Sequence, residues 1–316
     1  MLPDTPTASL RRTYSYLGPA GTFTEAALAQ VPEARDQIWR PVRNVGEALA
    51  DVVEGRSDAA MIAIENSVDG GVSTAQDALA TVPGLRIVGE YLVPVNFVLV
   101  ARRGTTLDDV QVVNGHPVAY AQCRAWLEAK RPSHGHIPAS SNVAAALSLL
   151  ESGQADAAIA PPGIDKHYDL VVLASNIGDN PNAVTRFVLV GRTTTIPAPT
   201  GADKTSLIAE LPEDRSGALL EMLEQFATRG VNLSLIQSRP IGDALGRYRF
   251  VIDADGHIDD ERMADALLGL RRFSPNLIFL GSYPRADKIP NEFTSRYDDG
   301  IFTEAREWLN GLRGEQ

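Results

Sequence analysis

Five short segments of this 316-residue chain carry polar side chains at spacings suited to holding a small anion. Thr185-Arg186-Phe187 sets a hydroxyl beside a guanidinium whose planar fork matches a carboxylate. Glu65-Asn66-Ser67 follows an apolar run at 59–64, so its polar groups should emerge where a strand ends. The Asn66 amide suits a carboxylate or a hydroxyl. Glu65 would repel an anion unless paired or protonated, so it is expected to orient its neighbours, a cap or turn being the plainer alternative. Thr22, within Gly-Pro-Ala-Gly-Thr-Phe-Thr, stands at an expected helix N-cap, and the free amides of such a helix favour anions. Gln122 offers a further amide, and Ser140 and Ser141 either cap the helix that follows them or present hydroxyls to a ligand.

Other chemistries find less support. His134 and His136 lie in a loop flanked by Pro and Gly with no nearby cysteine, which argues against a metal, and the Gly-x-Gly-x-x-Gly dinucleotide motif is missing. His116 precedes a proline at a strand-to-helix turn and reads as structural; Cys123 reads as a small buried residue rather than a nucleophile. A formal charge of −11 and a pI near 5.0 oppose binding to nucleic acid or an anionic membrane, so an anionic ligand must meet local cations and amides. One cysteine excludes an internal disulfide framework, the first twelve residues lack the apolar stretch of an export signal, and no apolar run reaches the roughly 18 residues of a span. A cytoplasmic protein is expected.

The elements that must position these groups are visible in an internal repeat. Residues 44–61 align without gaps on 142–159 at an offset of 98, with eight of 18 positions identical. Each copy starts with an Asn as expected N-cap, runs Val, Ala and Leu at helical spacing, stops at Gly55 or Gly153, and enters an apolar strand through Asp-Ala-Ala. Two similar lobes follow, each a parallel sheet with helices. The chain should cross from lobe one (about 13–93) to lobe two (about 94–184) and return at 185–192. That α/β arrangement resembles the two-lobed type II periplasmic binding proteins, whose ligand lies in the cleft where loops from strand ends converge.

Residues 193–204 lack hydrophobic periodicity and are expected to link this domain, 13–192, to a second one at 205–284. The second domain reads βαββαβ, an α+β ferredoxin-like order, with one strand expected over 245–256. Its helices, with Leu219, Leu220, Leu223 and Phe226 on one and Met263, Leu267 and Leu270 on the other, should cover one sheet face and leave an edge and a face open to self-association. The tail, 285–316, should be extended and then helical from about Glu304 to Leu312.

Four motifs in this order, Gly-Pro-Ala-Gly-Thr-Phe-Thr at 18–24, Ile-Glu-Asn-Ser at 64–67, His-Pro-Val-Ala-Tyr-Ala-Gln-Cys at 116–123 and Thr-Arg-Phe at 185–187, resemble the prephenate dehydratase family. The second domain resembles an ACT regulatory domain, through Gly-Ala-Leu-Leu at 217–220 and Gln-Ser-Arg-Pro at 237–240. The resemblance implies decarboxylative dehydration of prephenate to phenylpyruvate, without metal or organic cofactor. It places Thr185 at the departing hydroxyl with Arg186, Asn66, Glu65 and Gln122 around the reaction. Thr22, Ser67, Ser140, Ser141 and Phe187 would line the substrate. It also implies a phenylalanine effector held between Gly217, Ala218, Leu219 and Leu220 of one subunit and Asn232, Leu233, Ser234, Gln237 and Ser238 of another, in a dimer or tetramer. Removal of the chain beyond about Lys204 would then leave an active enzyme deaf to phenylalanine. Two departures stand out: Gly115 where many members carry Ser or Thr, and Gln237 where Glu is usual. The same scaffold would also serve an arogenate dehydratase, or a non-enzymatic amino-acid-responsive binding protein.

Overall fold

The computed structural model describes residues 11–68, 70–193, 195–243 and 246–314. Ten of the twelve starting residues discussed above, Thr194 of the expected linker, Leu245 of the expected strand and the last two residues of the tail lie outside the described residues.

Strands β1 (Thr13–Leu17), β2 (Ile38–Val42), β3 (Ala59–Asn66), β4 (Gly70–Gly71) and β5 (Arg86–Pro94) come first. β6 (Val98–Ala101), β7 (Val112–Gly115), β8 (Gly135–Pro138), β9 (Ala157–Ala160), β10 (Val171–Ser175) and β11 (Val184–Gly191) follow. One sheet runs β2-β1-β3-β11-β5 with β4 on β3, and the other β10-β6-β9-β7-β8. β1 is parallel to β2 and β3, and β7 to β8 and β9, as crossover helices require, but β6 runs antiparallel to β9 and β10, so the second sheet is mixed where a parallel one was expected. Those helices are α1 (Phe23–Leu28), α2 (Val45–Val53), α3 (Ser73–Thr81), α4 (Pro117–Gln122), α5 (Arg124–Lys130) and α6 (Asn142–Glu151). The second sheet buries Leu99, Val113, Ile159 and Leu127 on one face and Val100, Ala158, Val143 and Leu149 on the other.

The repeat is a structural one. α2 ends before Gly55 (φ +73°) and leads into β3; α6 ends before Gly153 (φ +61°) and leads into β9. The two Asp residues do the same work. The Asp58 carboxylate accepts the Thr13 N–H at 2.7 Å, and that of Asp156 accepts the N–H groups of Gln111 and Val112 at 2.9 and 2.8 Å. Each Asp amide in turn donates to a carbonyl at the start of the same neighbouring strand, Thr13 or Val112. A carboxylate at that position satisfies strand-end donors that the sheet ladder leaves unpaired. The caps differ: Asn44 caps α2 as expected, but Ser141 caps α6 through its hydroxyl and Asn142 is already helical.

The C-terminal module contains β12 (Asp203–Glu210), α7 (Ala218–Ala227), β13 (Leu233–Pro240), β14 (Tyr248–Asp255), α8 (Glu261–Phe273) and β15 (Leu277–Pro284). Its antiparallel sheet has the order β13-β14-β12-β15. Leu207, Ile252, Met222, Phe226, Met263 and Leu270 form the core between sheet and helices. A last helix, α9 (Asp299–Arg313), starts five residues earlier than the sequence suggests. The Asp298 side chain caps it at the Gly300 N–H, and Arg306 pairs with Glu261 of α8 at 2.6 Å.

Packing divides the chain into two compact units, Met1–Gly70 with Tyr91–Phe187, and Gly71–Glu90 with Val188–Gln316. The second unit therefore contains α3 and the start of β5 as well as the C-terminal module. This overturns the expected open sheet face. Ser206, Ile208, Val251 and Asp253 on the face away from the helices are at most 3% exposed. Within that unit the Lys204 ammonium meets the Glu90 carboxylate at 2.9 Å with both side chains buried, and Ser206 bonds Asp253 and the Tyr283 hydroxyl. Gly281 (φ +142°) lies against the Ile87 carbonyl so closely that any side chain would collide. A buried ion pair and a backbone contact of that kind are properties of one packed unit, not of a separable appendage.

Candidate active site

β3 and β11 bring the two most telling segments together. The Ser67 N–H donates to the Val184 carbonyl, and the Ser67 hydroxyl accepts the Val184 N–H, each at 2.9 Å. One step along, the Asn66 Nδ2 donates to the Thr185 Oγ1 at 2.7 Å. The Val68 N–H donates to the Asn66 Oδ1 at 2.8 Å, which fixes which end of the amide faces Thr185. One step further, Arg186 meets Glu65 at 3.3 Å. Side chains alternate along strands, so Asn66 and Thr185 share one sheet face with Phe187, while Arg186 and Glu65 share the other. The Glu65 carboxylate thus gains the cation that its place near an anion demanded, and Arg186, 6% exposed, is occupied in holding it.

A second cluster forms where β1 and β2 end. Thr22 accepts the Glu25 N–H at 3.2 Å and donates to the Leu17 carbonyl, and the Glu25 carboxylate reaches back to the N–H of Gly21, one residue before the cap rather than to the cap's own amide as a capping box would have it. A cavity of about 490 Å³ opens there, with a polar wall from Thr22, Thr24, Arg43, Ser140, Ser141 and Asn142 and an apolar wall that includes Phe23 and Pro161. On β1, burial and the nearby Glu25 and Tyr168 push the Tyr16 hydroxyl up to about 12, so it stays protonated. Thr22, Ser140 and Ser141 were expected from the sequence; Arg43 was not. The signal was present, since at the repeat offset of 98 Arg43 corresponds to Ser141, and equivalent positions of the two lobes meet in this cavity.

Gln122 closes α4, and its carbonyl accepts the Asp179 N–H at 2.7 Å. The Asp179 carboxylate accepts the Ala125 and Trp126 N–H groups, locking the turn between α4 and α5. Burial, with Asp179 adding, raises the pKa of the Cys123 thiol well above its usual range, so it is no nucleophile. His136 stacks on Tyr120 at 3.8 Å between ring centroids, and His134 bonds the Tyr120 hydroxyl. Among the described residues no cluster of His, Cys, Asp or Glu suits a metal ion. At Gly115 a Cβ would stand 3.1 Å from the Ile159 Cδ1, so the hydroxyl-bearing residue expected there would press on the lobe's core.

In the C-terminal module, Gly217 (φ +86°) precedes α7 without a side-chain cap, Ala218 is buried, and Leu219 and Leu220 are exposed. Along β13, Leu233 and Gln237 are half-buried whereas Ser234 and Ser238 face outward. Asn232 donates to the Asp255 carboxylate at 2.7 Å. The Gln237 Oε1 accepts from the buried Gln76 of α3 at 2.7 Å, and Arg239 and Arg249 both clasp Asp77 on the same helix. Gln237 is thus engaged inside its own chain.

The folds and the two clusters define a class: a two-lobed catalytic domain of type II periplasmic-binding-protein form, followed by a ferredoxin-like regulatory module. The family profile for prephenate dehydratase matches residues 14–195 and that for the ACT domain matches 205–272. The curated prephenate dehydratase of Amycolatopsis methanolica is 40% identical over 304 residues, covering 96% of this chain and 98% of that protein. A crystal structure of prephenate dehydratase from Arthrobacter aurescens in complex with L-Phe is 52% identical, covers 96% of this chain and 99% of its own, and superposes with a TM-score of 0.92. A protein described as a novel type of quorum-quenching acylase is 30% identical, with a TM-score of 0.77 over 86% of this chain and 98% of its own. This chain belongs to the prephenate dehydratase family.

Proposed function

We propose that this protein converts prephenate to phenylpyruvate, and that phenylalanine regulates it through the C-terminal module. The observation that carries the reaction is the bond from the Asn66 Nδ2 to the Thr185 Oγ1. Because Asn66 fills an acceptor site of the hydroxyl, the Thr185 proton is left to point at a substrate oxygen. In prephenate the bond from the ring to the carboxylate breaks, its electron pair enters the ring, and the hydroxyl opposite departs as water with an added proton. The Thr185 O–H strengthens its hydrogen bond as charge grows on that oxygen, and Asn66 stabilises the Thr185 oxygen in turn. The ring's gain of aromaticity supplies the driving force, so a positioned hydrogen-bond donor meets the demand. No step calls for a metal or organic cofactor. Assaying the purified protein with prephenate and with arogenate, following phenylpyruvate and phenylalanine separately, tests the reading; turnover of neither would overturn it.

The effector reading rests on the uncapped start of α7, where amide groups beside Gly217 suit an amino acid's carboxylate, together with the outward Ser234 and Ser238 of β13. β13 is an edge strand, and its Ile236 and Tyr248 of the neighbouring β14 are each 43% exposed, so pairing with a second copy there gives a dimer or tetramer with the effector at the interface. No helix among the described residues is long and apolar enough to cross a membrane, and a cytoplasmic setting fits a single free thiol.

A further inference from the structure

Among the described residues, Arg43 is the only charged side chain lining the cavity at the ends of β1 and β2. Among the described residues no carboxylate lines that cavity, in a chain whose net charge is −11, and its volume of about 490 Å³ suits a small organic ligand. The Arg43 N–H is held by the Glu47 carboxylate at 3.1 Å, which fixes the backbone, while its guanidinium has no hydrogen-bond or ion-pair partner among the described residues. Arg186, by contrast, is paired with Glu65 on the sheet face away from Thr185.

We propose that Arg43 binds the side-chain carboxylate of prephenate and selects the keto acid over its α-amino counterpart. The inference rests on the dehydratase reading above. Prephenate bears two carboxylates with opposite requirements. The ring carboxylate leaves as CO₂ and loses its charge in the transition state, so a strong ion pair to it would stabilise the ground state and slow the reaction. The side-chain carboxylate is kept in the product and is the one a strong cation can hold without that penalty. It lies across the ring from the departing hydroxyl. In the sheet order β2-β1-β3-β11, Arg43 follows the end of β2 and Thr185 is the second residue of β11, about three strand spacings, roughly 14 Å, to the side on the same sheet edge. A substrate with its hydroxyl at Thr185 can therefore extend toward Arg43. An α-ammonium carried beside that carboxylate, as in arogenate, would meet the guanidinium with no carboxylate in the cavity wall to offset the repulsion.

The test compares Arg43→Gln and Arg43→Lys with the unaltered protein on both substrates. Arg43→Gln should raise KM for prephenate about 10- to 100-fold with kcat changed less than about threefold, and Arg43→Lys should recover part of the loss. The prephenate-to-arogenate ratio of kcat/KM should narrow by about tenfold in Arg43→Gln. An unchanged KM, or a loss confined to kcat, would overturn the anchoring role; equal losses on both substrates would overturn the selection. Calorimetric titration with phenylpyruvate, which keeps the same side-chain carboxylate, reads the contact without turnover. Weaker binding to Arg43→Gln is expected, and equal binding refutes the contact. If the unaltered protein binds phenylpyruvate through Arg43 yet turns over neither substrate, the dehydratase reading fails while the carboxylate site stands.

Discussion

Asn66 and Thr185, 119 residues apart in the chain, are cross-strand neighbours joined by a 2.7 Å hydrogen bond in which the amide donates and the hydroxyl oxygen accepts. That direction leaves the threonine proton available to a ligand. Thr185→Val should preserve the strand and lower kcat by about 10² to 10⁴, the range of positioned proton donors, whereas Thr185→Ser should keep much of the activity. Asn66→Ala should fall between them. Steady-state kinetics on variants with unchanged circular dichroism would decide, and a Val variant with normal kcat would remove Thr185 from the mechanism.

Asp77 ties α3 to β13 and β14 through Arg239 and Arg249, beside the proposed effector site. The Arg239 guanidinium, then that of Arg249, holds the Asp77 carboxyl below its usual range despite partial burial. Asp77→Asn should leave basal turnover near normal and weaken inhibition by phenylalanine, within the roughly 5- to 150-fold that allosteric couplings span. Calorimetry separates the cases. Retained phenylalanine binding with lost inhibition supports a coupling role, and unchanged inhibition excludes one.

Lys204 and Glu90 form a buried pair within the second unit, which Ala286 completes by donating its N–H to Glu90 at 3.1 Å. Lys204→Met should destabilise the protein by about 3 to 5 kcal/mol, because it leaves a buried carboxylate uncompensated. The chain cut after Lys204 should melt lower still and aggregate, since Ile87 and Glu90 lose their cover. A truncated chain as stable as the full one would show that the module is separable after all.

Asp51 gives the pH dependence a location. Burial pushes its carboxyl up, but hydrogen bonds from Arg56, Ser15 and Arg40 outweigh that and set it below the usual carboxylate range. A folded-state pKa lower than the unfolded one contributes stability above the unfolded value, near 4, and that contribution is lost as pH falls through the folded value. Melting temperature should therefore drop on acidification below about pH 4. In Asp51→Asn the drop should be shallower from a lower starting point. Parallel melting profiles for the two proteins would contradict this.

The sequence by itself determined the elements and their local chemistry. The period-3.6 stripe of α2, its Asn44 cap, the Gly55 stop and the repeat at 142–159 are all interactions between residues close in the chain, where propensity and hydrogen bonding act without help from the fold. The same locality made the Thr22 cap of α1 and the βαββαβ order legible. The tertiary structure decided what depends on long-range register. Which face of β11 carries Thr185 and which Arg186 follows from the pairing with β3, so adjacency in the chain placed Arg186 beside Thr185 only until a strand separated them. Arg43 carried no motif, and only the meeting of the two lobes' equivalent positions gave its charge a cavity to face. The covering of the C-terminal sheet by residues 71–90 was hidden for the same reason, because a polar surface such as Ser206 and Asp253 reads as exposed until its groups bond one another and Tyr283 across the sheet and a distant segment excludes water.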